Sequence, residues 1–201
     1  MSAPASRLPI PGAQKHGASA VPISRQSNNP ANAKVAEPRI NQILKGDPNH
    51  VPALMVAGTV AEAKPDAAAA MAIYDRVLEQ FPDFTPAKRR QAILYAANAG
   101  DNKKALDFAL KARVAYPDDA ELAKALGMIL YRQGEFPRAL AALKEAAASR
   151  ANDGELAYYL GQTQYRLKDN TAAKASLQRA LDLSLKADLA TEARKILTEL
   201  K

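Results

Sequence analysis

The chain has 201 residues, of which 48% are hydrophobic, 24% charged and only 5% aromatic, and it contains no cysteine. This composition is ordinary for a globular protein, and the lack of cysteine excludes disulfides, thiolate nucleophiles and cysteine-ligated metal centres. The net charge of +7 suggests nucleic-acid binding as an alternative, but residues 1–39 carry +4 of it, so the rest of the chain is only mildly basic.

Residues 1–35 predict a disordered basic tail rich in proline, serine and alanine. Five prolines interrupt it without any helical or strand period. Proline lacks the N–H group that a helix interior needs, and so little apolar surface cannot offset the entropy of ordering.

Because no apolar run could span a bilayer or act as a secretory signal, we expect a cytoplasmic protein, or a bacterial envelope or periplasmic protein if a leader or anchor is removed.

Residues 36–50 predict a single helix that forms half of a repeat unit. Ala36, Ile40 and Ile43 have helical spacing. The residues that should form the partner helix contain Pro22 and Pro30, so no such partner is expected. We therefore predict an uncovered half-unit at the N-terminal end of the fold.

Residues 51–187 repeat with a nearly constant period. Ala70, Ala105, Ala139 and Ala173 are 35, 34 and 34 residues apart, and a period of this size indicates stacked helical hairpins. The four predicted units are 51–84, 86–119, 120–153 and 154–187. Residues 188–201 predict an amphipathic helix that caps the last apolar face of the stack.

The units share small or apolar residues at fixed places. In the third unit these are Ala123, Leu126, Gly127, Leu130, Ala139, Leu143 and Ala146. On this pattern the chain resembles a tetratricopeptide repeat (TPR) protein of bacterial type, although the second unit departs from it at Arg89, where the family prefers a large apolar residue. The resemblance implies an all-α fold, a right-handed superhelical solenoid of about four TPR helical hairpins with an N-terminal half-unit and a C-terminal capping helix.

Two sets of glycines have separate expected roles. Gly58, Gly127 and Gly161 lie midway along the first helix of their units, where we expect them to let the second helix approach closely, with alanine at the matching place. Gly100 and Gly134 follow a first helix, where we expect a left-handed conformation that ends it.

Acidic and polar residues stand where new helices should begin. They are Asp118, Asp119, Asn152 and Asp153. Side chains at such positions accept hydrogen bonds from the free N–H groups of the first helical turn, so this placement favours capping over acid–base catalysis.

No catalytic or metal-binding constellation is evident. His16 and His50 are far apart in sequence, and we expect both to be exposed to solvent. Neither a phosphate-binding glycine loop nor a G-x-S-x-G nucleophile elbow is present in the sequence. We therefore predict that the protein is not an enzyme and has no metal site and no cofactor.

In TPR proteins the first helix of each unit lines a concave groove. The resemblance therefore implies a partner-binding groove, called the predicted groove below, formed by Arg90, Asn98, Lys124, Met128, Tyr131, Arg132, Tyr158, Gln162, Tyr165 and Arg166. A Tyr-Arg pair recurs one unit apart, so stacking should place Tyr131 beside Tyr165 and Arg132 beside Arg166, which suits an acidic or extended peptide. The alternative is that the tyrosines seal the helix pairs and the arginines stay solvated.

These features predict a non-enzymatic scaffold that binds a protein or peptide partner in the predicted groove as part of a larger assembly. The lysine and asparagine residues with which some TPR domains hold a chaperone's C-terminal carboxylate are missing, so that ligand is not supported. One alternative is a self-associating structural component, a homo-oligomer formed through the uncovered half-unit. A less favoured alternative is nucleic-acid binding through the basic tail.

Overall fold

The computed structural model describes residues 30–64, 66–98 and 100–200, with side chains from residue 36 onward. Of the tail predicted over residues 1–35, the first 29 residues lie outside these ranges. The first helix begins at Pro30, earlier than the predicted boundary at residue 36. The physical reason is that proline is favoured at the first position of a helix, where its missing N–H group has no partner in any case.

Ten helices and no strand occur in the described part of the chain. They are joined by short turns, as expected for a stack of hairpins. The helices are α1 (Pro30–Gly46), α2 (Val51–Glu62), α3 (Ala67–Gln80), α4 (Thr85–Asn98), α5 (Asn102–Ala115), α6 (Ala120–Arg132), α7 (Phe136–Ser149), α8 (Gly154–Arg166), α9 (Asn170–Asp182) and α10 (Ala187–Glu199).

The helices pair into four hairpins that stack in chain order. Helix α2 packs on α3, α4 on α5, α6 on α7 and α8 on α9, and each second helix also contacts the first helix that follows it. The first helices contact one another as well, α4 with α6 and α6 with α8, so they form the inner side of the stack. The predicted all-α solenoid of four hairpins is confirmed.

A single helix stands at each end of the stack. Helix α10 packs on α9 and α8 through Ala190, Ala193 and Ile196, as expected of a capping helix. Helix α1 packs on α2 through Ile40, which is buried beside Val60. From residue 36 onward the other face of α1 is mainly polar, with Arg39, Asn41, Gln42 and Lys45 exposed and Ile43 38% exposed.

The mid-helix glycines make room for a large side chain on the second helix. A Cβ added at Gly127 would lie 2.5 Å from Leu143 Cγ, and one at Gly161 would lie 2.7 Å from Leu177 Cγ. These partners are fully buried. The close approach that we predicted therefore occurs, but it is made against this large side chain as well as against the helix backbone.

The second unit reverses this arrangement of sizes. At the place where the other units have glycine it carries Ile93, and at the place of Leu143 and Leu177 it carries Ala109. Ile93 and Ala109 belong to the same apolar cluster, in which Ala109 is completely buried. Large and small side chains are thus exchanged across the hairpin, which keeps the total packed volume similar.

The two glycines that follow first helices are Gly134 and Gly100. Gly134 has φ +78°, so the predicted left-handed conformation is confirmed there. The same prediction for Gly100 depends on the backbone of residue 99, which lies outside the described residues. A Cβ at Gly100 would lie 2.4 Å from Tyr95 Cδ1, so the close approach of this ring favours glycine at that position.

Aspartates cap the N-termini of five of the ten described helices, as the sequence pattern indicates. Asp119 accepts hydrogen bonds from the N–H groups of Glu121 and Leu122, and Asp153 accepts one from Leu156. His50, which we expected to be solvent-exposed, is only partly exposed and caps α2, because its Nδ1 accepts a hydrogen bond of 3.2 Å from Ala53 N–H. The prediction for His16 lies outside the described residues.

Candidate partner-binding groove

The predicted groove lies on helices α4, α6 and α8, which form the inner side of the stack. Each of these helices carries the groove residues along one face because places one or more helical turns apart share a side. Burial and hydrogen bonding divide the ten residues into three groups.

The first group consists of cations that are already paired within the chain. Arg90 on α4 holds both carboxylate oxygens of Glu62 on α2, with Nε 2.8 Å from Oε1. Lys124 on α6 lies 3.0 Å from an Asp153 oxygen and 2.8 Å from Glu155 Oε2. These two groove cations therefore join neighbouring units and are not free to bind a partner's acid.

Glu62 also fixes a buried tyrosine. The hydroxyl of Tyr74, whose side chain is completely buried, donates to Glu62 Oε1 at 2.6 Å. Burial, together with this carboxylate, raises the pKa of Tyr74 to about 12. The Arg90, Glu62 and Tyr74 side chains form one network at the junction of the first two units.

The second group is buried. Met128, Tyr158 and Gln162 are 3%, 5% and 3% exposed, so they offer almost no surface to a partner. Gln162 Nε2 donates to the Tyr158 hydroxyl at 2.7 Å, and Gln162 Oε1 lies 3.1 Å from the hydroxyl of Tyr131. Burial raises the pKa of Tyr158 above its ordinary value. These side chains seal α6 against α8, as the alternative interpretation of the tyrosines proposes.

The third group keeps some exposure, and its members are Asn98, Tyr131, Arg132, Tyr165 and Arg166. The ring of Tyr131 packs against Phe136 and Tyr159, with centroid distances of 5.7 Å and 5.8 Å. Tyr165 instead donates its hydroxyl hydrogen bond to Glu199 on α10, at 2.8 Å. The two tyrosines therefore contact different neighbours.

The polar members of this group also differ in their surroundings. Asn98 turns back to the Leu94 carbonyl of its own helix, at 2.8 Å. Arg132 Nη2 donates to the Ala96 carbonyl on α4 at 2.8 Å. Arg166 is exposed, and its guanidinium carbon lies 6.0 Å from the centre of the Phe136 ring, at the limit of a cation–π contact.

Three residues near the groove are absent from the predicted set. They are Phe136 and Tyr159, which contact Tyr131, and Glu199, which binds Tyr165. Tyr159 lies on the first helix of its unit, but at a place that the family does not use for the groove. Phe136 and Glu199 belong to α7 and α10, which are not first helices. Of these three, only Tyr159 had a signal in the sequence that could have placed it near the groove, because it directly follows the predicted groove residue Tyr158.

Among the described residues, no group of three or more histidine, aspartate or glutamate side chains is arranged to hold a metal ion. No helix within the described ranges has both the length and the apolar character needed to cross a bilayer.

Comparison with known sequences gives one family match. A model of the tetratricopeptide repeat family matches residues 31–83 and 124–188, which is more than half of the chain. The stretch between these matches contains the second unit, whose Arg89 and Ile93 depart from the repeat pattern. A comparison with curated proteins gave no match.

Solved structures of the protein MamA share the fold. MamA from Desulfovibrio magneticus RS-1, from residue 41 to its end, matches with a TM-score of 0.64 at 19% identity, over 80% of this chain and 90% of that one. MamA AMB-1 matches with a TM-score of 0.63 at 18% identity, over 81% and 94% of the two chains. A further crystal structure of MamA matches with a TM-score of 0.54 at 21% identity, over 73% and 84%. At identities this low, the structural similarity shows a common fold alone.

Proposed function

The chain belongs to the tetratricopeptide repeat family, and from this premise we propose that it is a non-enzymatic scaffold that binds a protein or peptide partner in its concave groove. Stacked repeats present an extended concave surface, which is the usual binding surface of such solenoids. The scaffold would join its partner to a larger assembly, in the cytoplasm or in a bacterial envelope or periplasm.

One observation carries this proposal. Tyr131 and Arg132 end α6, Tyr165 and Arg166 end α8, and all four keep some exposure on the inner side of the stack. Tyrosine offers a large contact area at low entropic cost, and arginine offers a planar fork of donors. Both residue types are enriched among the side chains that dominate the binding energy of protein interfaces.

The test begins with affinity purification from the native cell and identification of the protein that co-purifies. The dissociation constant of that purified partner is then measured for the wild type and for a variant with Tyr131→Ala, Tyr165→Ala and Arg166→Ala. We expect affinity to fall about 100-fold or more, because removing interface anchors commonly costs 2 kcal/mol or more each. The matched control is Val114→Ala on α5, where Val114 is 86% exposed on a second helix. Equal affinity of wild type and triple variant would remove the groove from the proposal.

The two alternatives receive less support from the described residues. Self-association through the N-terminal half-unit calls for an apolar face, but on the part of α1 whose side chains are described, from residue 36 onward, the outer face is mainly polar. Light scattering of the full chain tests it directly, since a homo-oligomer would have a multiple of the monomer mass. Nucleic-acid binding through the basic tail depends on residues outside the described ranges, and strongly salt-dependent retention on a polyanion column would favour it.

A further inference from the structure

Arg132 is the exception among the arginines whose side chains the structure describes as buried or half-buried. The others each have a carboxylate at ion-pair distance, on the same unit or on a neighbouring one. These paired arginines are Arg89 with Asp119, Arg90 with Glu62, Arg113 with Glu145 and Arg150 with Asp153. Arg132 alone among the half-buried arginines has no such partner within the described ranges.

The lysines follow the same rule. In the described part of the chain the buried or half-buried lysines are Lys88, Lys104 and Lys124. Each has a carboxylate partner, at 2.9 Å for the first two and at 2.8 Å and 3.0 Å for Lys124. Pairing is expected because removing a charge from water is costly unless an opposite charge compensates it. The chain therefore satisfies this requirement at every half-buried cation outside Arg132.

The immediate contacts of Arg132 leave its charge uncompensated. Its Nη2 lies 2.8 Å from the Ala96 carbonyl and 3.4 Å from the Tyr95 carbonyl at the end of α4, and its buried Nε has no hydrogen-bond partner. Glu155 is close enough to act on it electrostatically, but the Glu155 carboxylate is held by Lys124 at 2.8 Å. Burial lowers the pKa of Arg132, in keeping with a guanidinium that has no carboxylate at ion-pair distance.

We propose that Arg132 binds a carboxylate side chain of the protein partner, so that the groove recognises an acidic segment. This inference rests on the proposed function and specifies the chemistry of the partner. A guanidinium forms a strong charge-assisted contact with a carboxylate, and such a contact would supply the counter-charge that the chain does not. Arg166 stands at the equivalent place of the next unit, exposed, and provides a second cation for the same segment.

Acidic residues nearby favour a protein segment over a nucleic acid. Asp188 and Glu192 on α10 are exposed. They act electrostatically on Tyr159, which is next to the groove, and on Tyr158, which belongs to it. The exposed Glu199 accepts the hydrogen bond of Tyr165. A continuous phosphate backbone would be repelled by these carboxylates. A protein segment can instead place one or two carboxylates at the arginines and neutral residues elsewhere.

The binding test uses the full chain and a fluorescein-labelled peptide of alternating glutamate and alanine, measured by fluorescence anisotropy. The same peptide with glutamine in place of glutamate and a uridine oligonucleotide are the comparison probes. We expect the glutamate peptide to bind most tightly and Arg132→Met to weaken it about 10-fold or more, since a charge-assisted hydrogen bond is lost. The exposed Arg166→Met should weaken it about two- to three-fold, as for a solvent-exposed pair.

Several outcomes would overturn the inference: no binding of the glutamate peptide, equal binding of the glutamine peptide, tighter binding of the oligonucleotide, or unchanged affinity in Arg132→Met.

Thermal unfolding tests whether Arg132 binds a ligand or has only a structural role, as a cap of α4. We expect Arg132→Met to leave Tm within about 3 °C of the wild type. Arg90→Met should lower Tm by at least about 5 °C, because it leaves the Glu62 carboxylate without a counter-charge. A loss in Arg132→Met equal to that in Arg90→Met would assign Arg132 a structural role. If the purified native partner binds in the groove but ignores Arg132→Met, this inference fails and the proposed function stands.

Discussion

Lys168 occupies, in the fourth unit, the place that Gly134 occupies in the third. Its φ is +65°, and its N–H group donates to the Tyr165 carbonyl at 3.0 Å, as the Gly134 N–H does to the Tyr131 carbonyl. The backbone of the turn is therefore the same in both units. Only glycine adopts this conformation without steric cost, so Lys168 holds local strain.

We expect Lys168→Gly to stabilise the protein by about 0.5–1 kcal/mol, because relief of the strain exceeds the extra flexibility that glycine brings to the unfolded chain. The reciprocal change, Gly134→Lys, should destabilise by a similar amount. Urea denaturation of both variants measures the two effects. Destabilisation by Lys168→Gly would show that the lysine side chain contributes more than its backbone conformation costs.

Asp153 links a helix cap to an ion pair, and its ionisation should make stability depend on pH. Burial alone would raise the pKa of its carboxyl, but the hydrogen bond from Leu156 N–H and the Lys124 ammonium lower that pKa more strongly, so it lies below the ordinary value. Asp119 has a lowered pKa as well, with Arg89 and two N–H groups outweighing burial.

A carboxyl with a lowered pKa in the folded state stabilises the fold above its ordinary pKa, and this contribution is lost as pH falls through the folded-state value. We therefore expect the free energy of unfolding to decrease below about pH 4. Asp153→Asn keeps a capping side chain but removes the charge, so at pH 7 it should cost about 1 kcal/mol. Urea unfolding at several pH values checks both points, and an unchanged pH slope in the variant would contradict them.

At the scale of the helix pair, the sequence predicts more about spacing than about which side chains meet. The alanine at the fixed place of each second helix is fully buried in all four units, as the period indicates. The partner of each mid-helix glycine was not evident, because Leu143 and Leu177 are ordinary apolar residues in the sequence. In the second unit the large residue, Ile93, stands on the first helix and the small one, Ala109, on the second. The fold therefore constrains the combined size of the two facing side chains and does not require glycine at one fixed place.

This exchange can be transferred to the third unit. Gly127→Ile alone should be strongly destabilising, because an added Cβ already lies 2.5 Å from Leu143 Cγ. Leu143→Ala alone should cost about 2–4 kcal/mol through the cavity that it leaves. The double variant should recover at least about 1 kcal/mol relative to the sum of the single changes, since the two sites are in contact.

The reverse exchange in the second unit, Ile93→Gly with Ala109→Leu, is the matched control for this cycle. It should show the same sign of coupling when the free energies of unfolding are compared. If the free-energy changes of the single variants add up to that of the double variant in both units, the size of the residue at the glycine place is limited by the neighbouring helix backbone alone.

For the whole molecule, the repeat period predicted the solenoid because each hairpin depends on residues close in sequence. The groove could not be predicted to the same depth, because burial and pairing there depend on neighbouring units. Arg90 and Glu62 are separated by 28 residues, and Lys124 and Glu155 by 31. In the sequence, an acidic residue about one repeat away from a basic one can indicate an ion pair between stacked units. Applied to Arg90 and Lys124, this pattern predicts that both are paired within the chain and are not free to bind a partner.

The central claim is that the inner side of the stack, formed by the first helices, binds the protein partner. Hydrogen–deuterium exchange of the full chain, with and without the purified partner, tests this claim most directly. We predict that the partner slows exchange in α6 and α8, including Tyr131, Arg132 and Tyr165, while the outer helices α5, α7 and α9 stay unchanged. Slower exchange confined to α5, α7 and α9 would contradict the claim.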